Sequence, residues 1–203
     1  MTLTPELQRK LIEAVASCMI EHADELVALD QAIGDGDHGL NMKRGFEAVL
    51  ADLDKIAALP TGEALKAVGM TLVMKVGGAS GPLYGTLFMS LGKALPQDLT
   101  VAGIAEAFAS AVEAVKVRGK SDVGAKTMLD VLVPLLQVLR SGGNDLAKRL
   151  RLCATEAAAA TVSMKATRGR ASFLGERSIG HMDPGARSSE LITHTVLNVL
   201  TAA

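Results

Sequence analysis

Aromatic side chains are scarce here: tryptophan is absent, tyrosine occurs once and phenylalanine four times in 203 residues. The core must be packed from the aliphatic residues and methionines of a chain that is 49% hydrophobic. Ala and Leu among them favour helices. Excess charge of either sign is also missing. The formal charge is −1, which gives no electrostatic ground for a nucleic-acid partner. No apolar run is long enough to span a bilayer, and Met1-Thr2-Leu3-Thr4-Pro5-Glu6 lacks the basic-then-apolar build of a signal peptide. Cys18 and Cys153 stand far apart on apolar helical faces and read as free thiols of a reducing compartment. These absences give the expectation of a soluble, cytoplasmic protein without membrane or nucleic-acid partners.

What remains is helical periodicity. Thr4-Pro5-Glu6 has the capping hydroxyl, first-turn proline and early acid of a helix start. Leu7, Leu11, Val15, Cys18 and Met19 then recur at helical spacing, which predicts a helix to about Leu29. A second helix starts at Gly39, a third at Thr61, a fourth at Pro82 and a fifth after Thr100. A sixth is predicted from near Gly124 to Arg140, an Ala-rich seventh from Asp145 to about Thr167, and the last from about Ser188. Residues 169–187 are rich in Gly, Ser and charge and show no period; connections beyond ~12–15 residues are mostly functional or disordered. With no strand pair and no linker, the fold class expected is all-α, a single domain over residues 1–203.

The chemistry concentrates in "ALDQAIGDGDHGLNMKRG", residues 28–45. Gly34-Asp35-Gly36-Asp37-His38-Gly39 fits the dinucleotide-binding pattern G-x-G-x-x-G, but that turn needs a preceding strand. Its two carboxylates would also cancel the attraction of a helix N-terminus for phosphate. The acids miss the ligand positions of an EF-hand loop, and no Glu closes it. A divalent cation between carboxylates and phosphates resolves the conflict. Asp35 and Asp37, two apart, lean to one side of the loop, and Asp30 faces them across Gly34. Hard oxygen ligands with room for water and phosphate suit Mg²⁺. Three such carboxylates are matched to two Mg²⁺, whose surplus charge attracts a polyphosphate. His38 and Asn41, at the start of the next helix, are candidate phosphate or ribose contacts. A polar turn that uses Asp and Gly for their dihedrals is the alternative.

Two further stretches bear on that reading. "KVGGASGP", residues 75–82, places backbone amides as an anion-binding nest before a helix; a flexible connection is the competing account. "RGRASFLGERSIGHMDPGARSS", residues 168–189, holds Arg168, Arg170, Arg177 and Arg187 among four glycines, the make-up of a cover over a polyphosphate. His181 and Asp183 are catalytic candidates within it, although a turn at Asp183-Pro184-Gly185 explains Asp183 equally well. Gly119-Lys120-Ser121 is not a P-loop, because Ala114 stands where its first glycine belongs and a helix precedes it. Nothing in the sequence marks a covalent nucleophile.

Together "AIGDGDHGLNMKRGF", "GMTLVMKVGGASGPLYGTLF", "KTMLDVLVP" and "GRASFLGERSIGHMDPGARSS" resemble the nucleotide-binding L subunit of dihydroxyacetone kinase, over nearly the whole chain and in family order. The resemblance implies a barrel of eight antiparallel helices with ADP and two Mg²⁺ at one end. It implies Asp30, Asp35 and Asp37 as metal ligands. Nucleotide contacts map to His38, Gly39, Leu40 and Asn41, to Ala79 and Ser80, to Gly119, to Met128 near the adenine, and to Arg170, Asp183, Pro184 and Gly185. It also implies partners: a K subunit that holds the ketone, and a phosphohistidine M subunit of the phosphotransferase system that recharges bound ADP. Related kinases use exchangeable ATP. Gly124-Ala125-Lys126-Thr127-Met128 departs from the family's usual Gly-Asp-Lys-Thr-Met, which removes a carboxylate and puts the loop geometry in question; Phe173 replaces a frequent Tyr.

The reading is therefore a phosphotransferase of glycerone kinase type, active only with a partner subunit. The alternatives are the nucleotide subunit of an ATP-dependent ketose kinase, for example for erythrulose; a non-catalytic Mg-nucleotide module that reports to a regulator; and a helical scaffold with incidental glycine loops.

Overall fold

A computed structural model of the chain describes residues 3–202, and among these it is all-helical, without strands. The α-helices are α1 (Pro5–Glu21), α2 (Ala23–Ile33), α3 (His38–Ala51), α4 (Leu53–Ala57), α5 (Thr61–Lys75), α6 (Ser80–Ala94), α7 (Val101–Gly119), α8 (Leu129–Ser141), α9 (Leu146–Ala160) and α10 (Pro184–Ala202). Short 3₁₀ segments cover Thr161–Ser163 and Arg170–Ser178. Because α1 runs on into α2, and α3 into α4, with one-residue breaks at His22 and Asp52, the chain makes eight up-and-down passes.

Local signals set most starts. Thr4 Oγ1 accepts from Leu7 N–H at 3.2 Å and Pro5 occupies the first turn of α1; Thr100 caps α7 through Gly103 N–H. The expected uninterrupted helix to Leu29 is broken at His22, and the bend lets α2 turn onto the 170–178 segment while α1 packs on α3 and α10. Glycines allow α5 and α6 to lie against each other. A Cβ on Gly69 would stand 2.7 Å from the Gly85 carbonyl oxygen, and one on Gly62 2.7 Å from that of Gly92. Val15, Met19, Leu26, Met42, Phe46, Leu72 and Val112 fill the central core, and Val131, Leu135, Ala154, Ala158 and Ala186 form a second layer behind it.

Three expected boundaries are corrected. α8 begins at Leu129, not near Gly124, because the Asp130 carboxylate draws in the N–H groups of Gly124 (2.6 Å) and Thr127 (2.8 Å), and Lys126 is left-handed at φ 64°. α9 stops at Ala160 rather than Thr167. There the buried Thr161 hydroxyl donates to Ala158 O at 2.6 Å and accepts from Asp183 N–H at 3.1 Å, which turns the chain aside. α10 starts at Pro184, before Ser188, with Asp183 capping Ala186 N–H at 2.8 Å and proline at the first position.

In an up-and-down bundle alternate connections share an end. Residues 34–37, 76–79, 120–128 and 161–183 are such alternates, so the acidic loop, the glycine nest and the long Arg-rich segment converge.

Candidate Mg-nucleotide site

The acidic loop is built around Asp30. Its Oδ2 accepts the N–H groups of Asp37 (2.9 Å) and His38 (3.1 Å), so the last turn of α2 holds the N-terminus of α3. A side chain on Gly34 would collide with Asp30 Oδ1, and Gly36 turns the chain at φ 74°. One carboxylate oxygen from each of Asp30, Asp35 and Asp37 then lies within 4.8 Å of the others. Gly78, at φ 63°, brings the second loop so close that a Cβ there would sit 3.5 Å from Asp37 Oδ2. Glycine is required by space at Gly34 and by conformation at Gly36 and Gly78.

Carboxylates this close repel one another. The α3 N-terminus offsets part of that, and Arg170 Nε pairs with Asp35 Oδ2 at 2.8 Å across the mouth. The donor set of hard oxygens without thiolate or imidazole fits Mg²⁺, and the open mouth leaves coordination positions for phosphate and water.

Behind the cluster opens a cavity of about 420 Å³, reached by His38, Ala79, Ser80, Arg170, Asp183, Pro184 and Gly185. A smaller cavity of about 290 Å³ shares Ala79, Leu83, Thr127, Met128, Arg168 and Gly169 with it. Beyond the shared wall it is bounded by Pro82, Val115, Arg118, Gly119, Ser121 and Leu129. The two make one trough, acidic at the mouth and largely apolar at the inner end, complementary to a cation-bound polyphosphate joined to a planar base.

His38 lies in the trough wall, its Nδ1 2.8 Å from Ser80 Oγ and its Nε2 3.0 Å from Ser188 Oγ. Burial depresses its pKa to about 4, against the small opposing pull of Asp37, so the imidazole is neutral. Ser188 Oγ is 2.7 Å from Tyr84 OH, which is 3.0 Å from Ser189 Oγ and is pushed up to about 12, chiefly by burial. Asp183 is raised to about 7, by burial first and Asp130 second, against the amides of Ala186 and Gly185 and the charge of Lys126.

Not every expected residue reaches the trough. Gly39 is buried against the Val27 backbone, Asn41 supports the glycine loop from behind Gly77 and Gly78, and Leu40 is exposed outside. Of the arginines, Arg168 and Arg170 border it. Arg187 does not: it binds Glu25 (2.6 Å) and Glu190 (2.8 Å) and ties α10 to α2. His181 presents only its carbonyl, to Lys126.

Sequence reasoning missed Lys126. Its side chain is buried, and Nζ donates to the carbonyl oxygens of Met164 (3.1 Å), Ser178 (2.6 Å) and His181 (2.6 Å). Burial lowers its pKa, and Asp183 opposes the shift. With its three N–H groups used, the ammonium fastens the long segment over the trough instead of meeting a ligand. Asp130 was missed as well; it accepts from Gly124 and Thr127 N–H and so holds residues 124–127, Ala125 among them, in place.

A family model described as the DAK2 domain matches residues 32–198. The ADP-binding subunit of the PEP-dependent dihydroxyacetone kinase of Escherichia coli (strain K12) is 47% identical over 174 residues, 82% of this chain and 83% of the relative. The ADP-binding subunit of PEP-dependent dihydroxyacetone kinase 1 of Listeria innocua is 44% identical over 87% of each chain. The D-erythrulose kinase of Mycolicibacterium smegmatis is 33% identical over 96% of this chain and 35% of its own length. Among solved structures, the dihydroxyacetone kinase of C. freundii in its native form superposes with a TM-score of 0.78 over 98% of this chain and 35% of that one, at 24% identity. Its complex with AMP-PNP and Mg²⁺ gives 0.74 at 24% identity, over 98% of this chain and 34% of that one. By sequence match and by fold, the chain belongs to the DAK2 domain family.

Proposed function

We propose that residues 1–203 form the single nucleotide-binding L domain of a dihydroxyacetone kinase, a cytoplasmic phosphotransferase subunit. It holds Mg-ADP or Mg-ATP and, with the nucleotide as ATP, presents the terminal phosphate to a short ketose held on a partner K subunit, leaving ADP in place. The observation that carries this reading is the trio of aspartate oxygens within 4.8 Å of one another at the mouth of a trough with an apolar inner end.

Asp30, Asp35 and Asp37 would hold two Mg²⁺. Magnesium bound there supplies positive charge to the phosphate oxygens and spreads the charge that shifts during transfer. The first turn of α3 lies beside the phosphates: His38 lends its side chain, while Gly39 and Leu40, neither of which puts a side chain into the trough, would offer backbone amides, braced by Asn41, and Ala79 and Ser80 close the opposite side. Neutral His38 orients by hydrogen bonding, with both ring nitrogens engaged by Ser80 and Ser188, and carries no imidazolium proton to give at neutral pH. Arg170 gives the phosphate end a planar cationic fork, Asp183-Pro184-Gly185 form the floor, and Gly119 and Met128 bound the base. No protein nucleophile intervenes, so the phosphoryl group passes directly to the acceptor hydroxyl and the isolated chain turns over little.

The two relatives of highest identity reported above are named PEP-dependent. That favours ADP kept as a bound cofactor and recharged by a phosphohistidine M subunit of the phosphotransferase system. Nucleotide that survives purification and dialysis, read by native mass spectrometry, supports this version; rapid exchange with ATP supports the ATP-dependent kind. The erythrulose-kinase relative favours a second reading in which the ketose has four carbons, and assays with the cognate K subunit separate the two. Absence of phosphate transfer in that mixture would leave a regulatory Mg-nucleotide module. Asp35→Ala and Asp37→Ala should each weaken Mg-ADP binding by 100-fold or more by titration calorimetry, an order of magnitude set by removing one ligand of a charged site, with circular dichroism unchanged. Undiminished affinity in either variant refutes the assignment.

A further inference from the structure

The inner end of the trough is walled mainly by Leu83, Val115, Met128 and Leu129. Its polar residues are Arg118, Ser121, Thr127 and Arg168, and of the two hydroxyls that of Thr127 already accepts from Leu129 N–H at 3.2 Å. Ser121 Oγ is shielded from solvent yet has no hydrogen-bond partner, and it is the one buried side-chain atom in that condition among the described residues. Its place is set by the end of α7: Lys120 turns left-handed at φ 47°, and Ser121 N–H then reaches back to Lys116 O at 3.2 Å. The residue lines the inner cavity and also borders an open cleft, so the hydroxyl is held inside the wall between them, and a turn about its Cα–Cβ bond is what would bring it to the trough.

A buried hydroxyl without a partner costs the folded protein its full desolvation penalty. Groups left in that state call for a missing bonding partner. The trough supplies the place for one. The partner is not the phosphate end, because the aspartates that would hold its cations lie at the mouth and do not line the inner cavity. It is a flat group with apolar faces and a hydrogen-bonding edge, the description of a nucleotide base. A serine hydroxyl both donates and accepts, so it can meet an amino group or a ring nitrogen.

We propose that Ser121 is a binding residue for the base, its hydroxyl hydrogen-bonded to the edge of the heterocycle seated in the inner cavity. The proposal rests on the Mg-nucleotide reading of the trough and adds a contact to it. A hydroxyl kept for a ligand is a liability in the free protein and an asset in the complex, so its removal has opposite signs in the two states.

The test is titration calorimetry of the full chain and its Ser121→Ala variant with Mg-ADP and with Mg-pyrophosphate, which has no base, alongside thermal melts without ligand. Loss of one ligand hydrogen bond should weaken Mg-ADP about five- to tenfold. Mg-pyrophosphate affinity should stay unchanged, and the ligand-free melting temperature should hold or rise. Equal Mg-ADP affinity in the two proteins overturns the proposal, as does a parallel loss for Mg-pyrophosphate or a lower ligand-free melting temperature. Wild-type protein that binds pyrophosphate but gains nothing from the base overturns this contact alone; protein that binds neither ligand overturns the reading beneath it.

Discussion

Asp183 serves two ends that pull against each other. Its carboxylate caps α10 by accepting Ala186 N–H, and it does so while buried beside Asp130, which raises its pKa to about 7. Lys126 and the amides of Ala186 and Gly185 recover only part of the cost of the charge. A group whose pKa rises on folding contributes stability that is complete below its unfolded value and is lost as pH climbs through the folded one. The window here opens near 3.8, the ordinary value, and closes at about 7. Asp183→Asn keeps an acceptor for Ala186 and has nothing to ionise. Its stability relative to wild type should rise between pH 4 and pH 8, by on the order of 2–4 kcal/mol, in urea unfolding series at several pH values. A difference that does not change with pH would mean that this carboxyl titrates normally.

Among the elements, the segment between α9 and α10 depends most on contacts from far along the chain. Its acceptors for Lys126 lie 38, 52 and 55 residues away from that lysine. Periodicity registers neighbours three and four apart, which is why the helices and the acid cluster, confined to residues 30–37, were legible and this clamp was not. The same limit hid the true start of α8, set by a left-handed Lys126, and the fate of Arg187, whose partner Glu25 is 162 residues distant. The start of α10 was present in Asp183-Pro184, a pair that read as a catalytic acid or a turn and not as a helix start. Lys126→Met keeps the stem and removes the three donors. It should destabilise the protein by on the order of 2–4 kcal/mol, speed tryptic cleavage at Arg168, Arg170 and Arg177, and weaken Mg-ADP roughly tenfold by loosening the segment that carries Arg170. Limited proteolysis followed by mass spectrometry reads the cleavage directly; an unchanged cleavage pattern would deny Lys126 its role as a clamp.

On the scale of the whole molecule, the alternating passes bring four connections to one end: residues 34–37, 76–79, 120–128 and 161–183. A ligand in the trough would touch all four, so occupancy is coupled to the stability of the bundle and not to one loop. Binding only to the folded state stabilises by about 2.7 kcal/mol at a ligand concentration 100 times Kd. For a chain of 203 residues each kcal/mol moves the melting temperature by about 2–4 °C. Saturating Mg-ADP should therefore raise the melting temperature by roughly 5–10 °C, measured by differential scanning calorimetry. Because the aspartate trio repels phosphate unless a cation lies between them, excess EDTA should abolish the shift, and Asp35→Ala should lack it even with Mg²⁺ present. A shift that persists in EDTA would mean that the nucleotide is held without the carboxylates, and the convergence of the four loops would then need a different explanation.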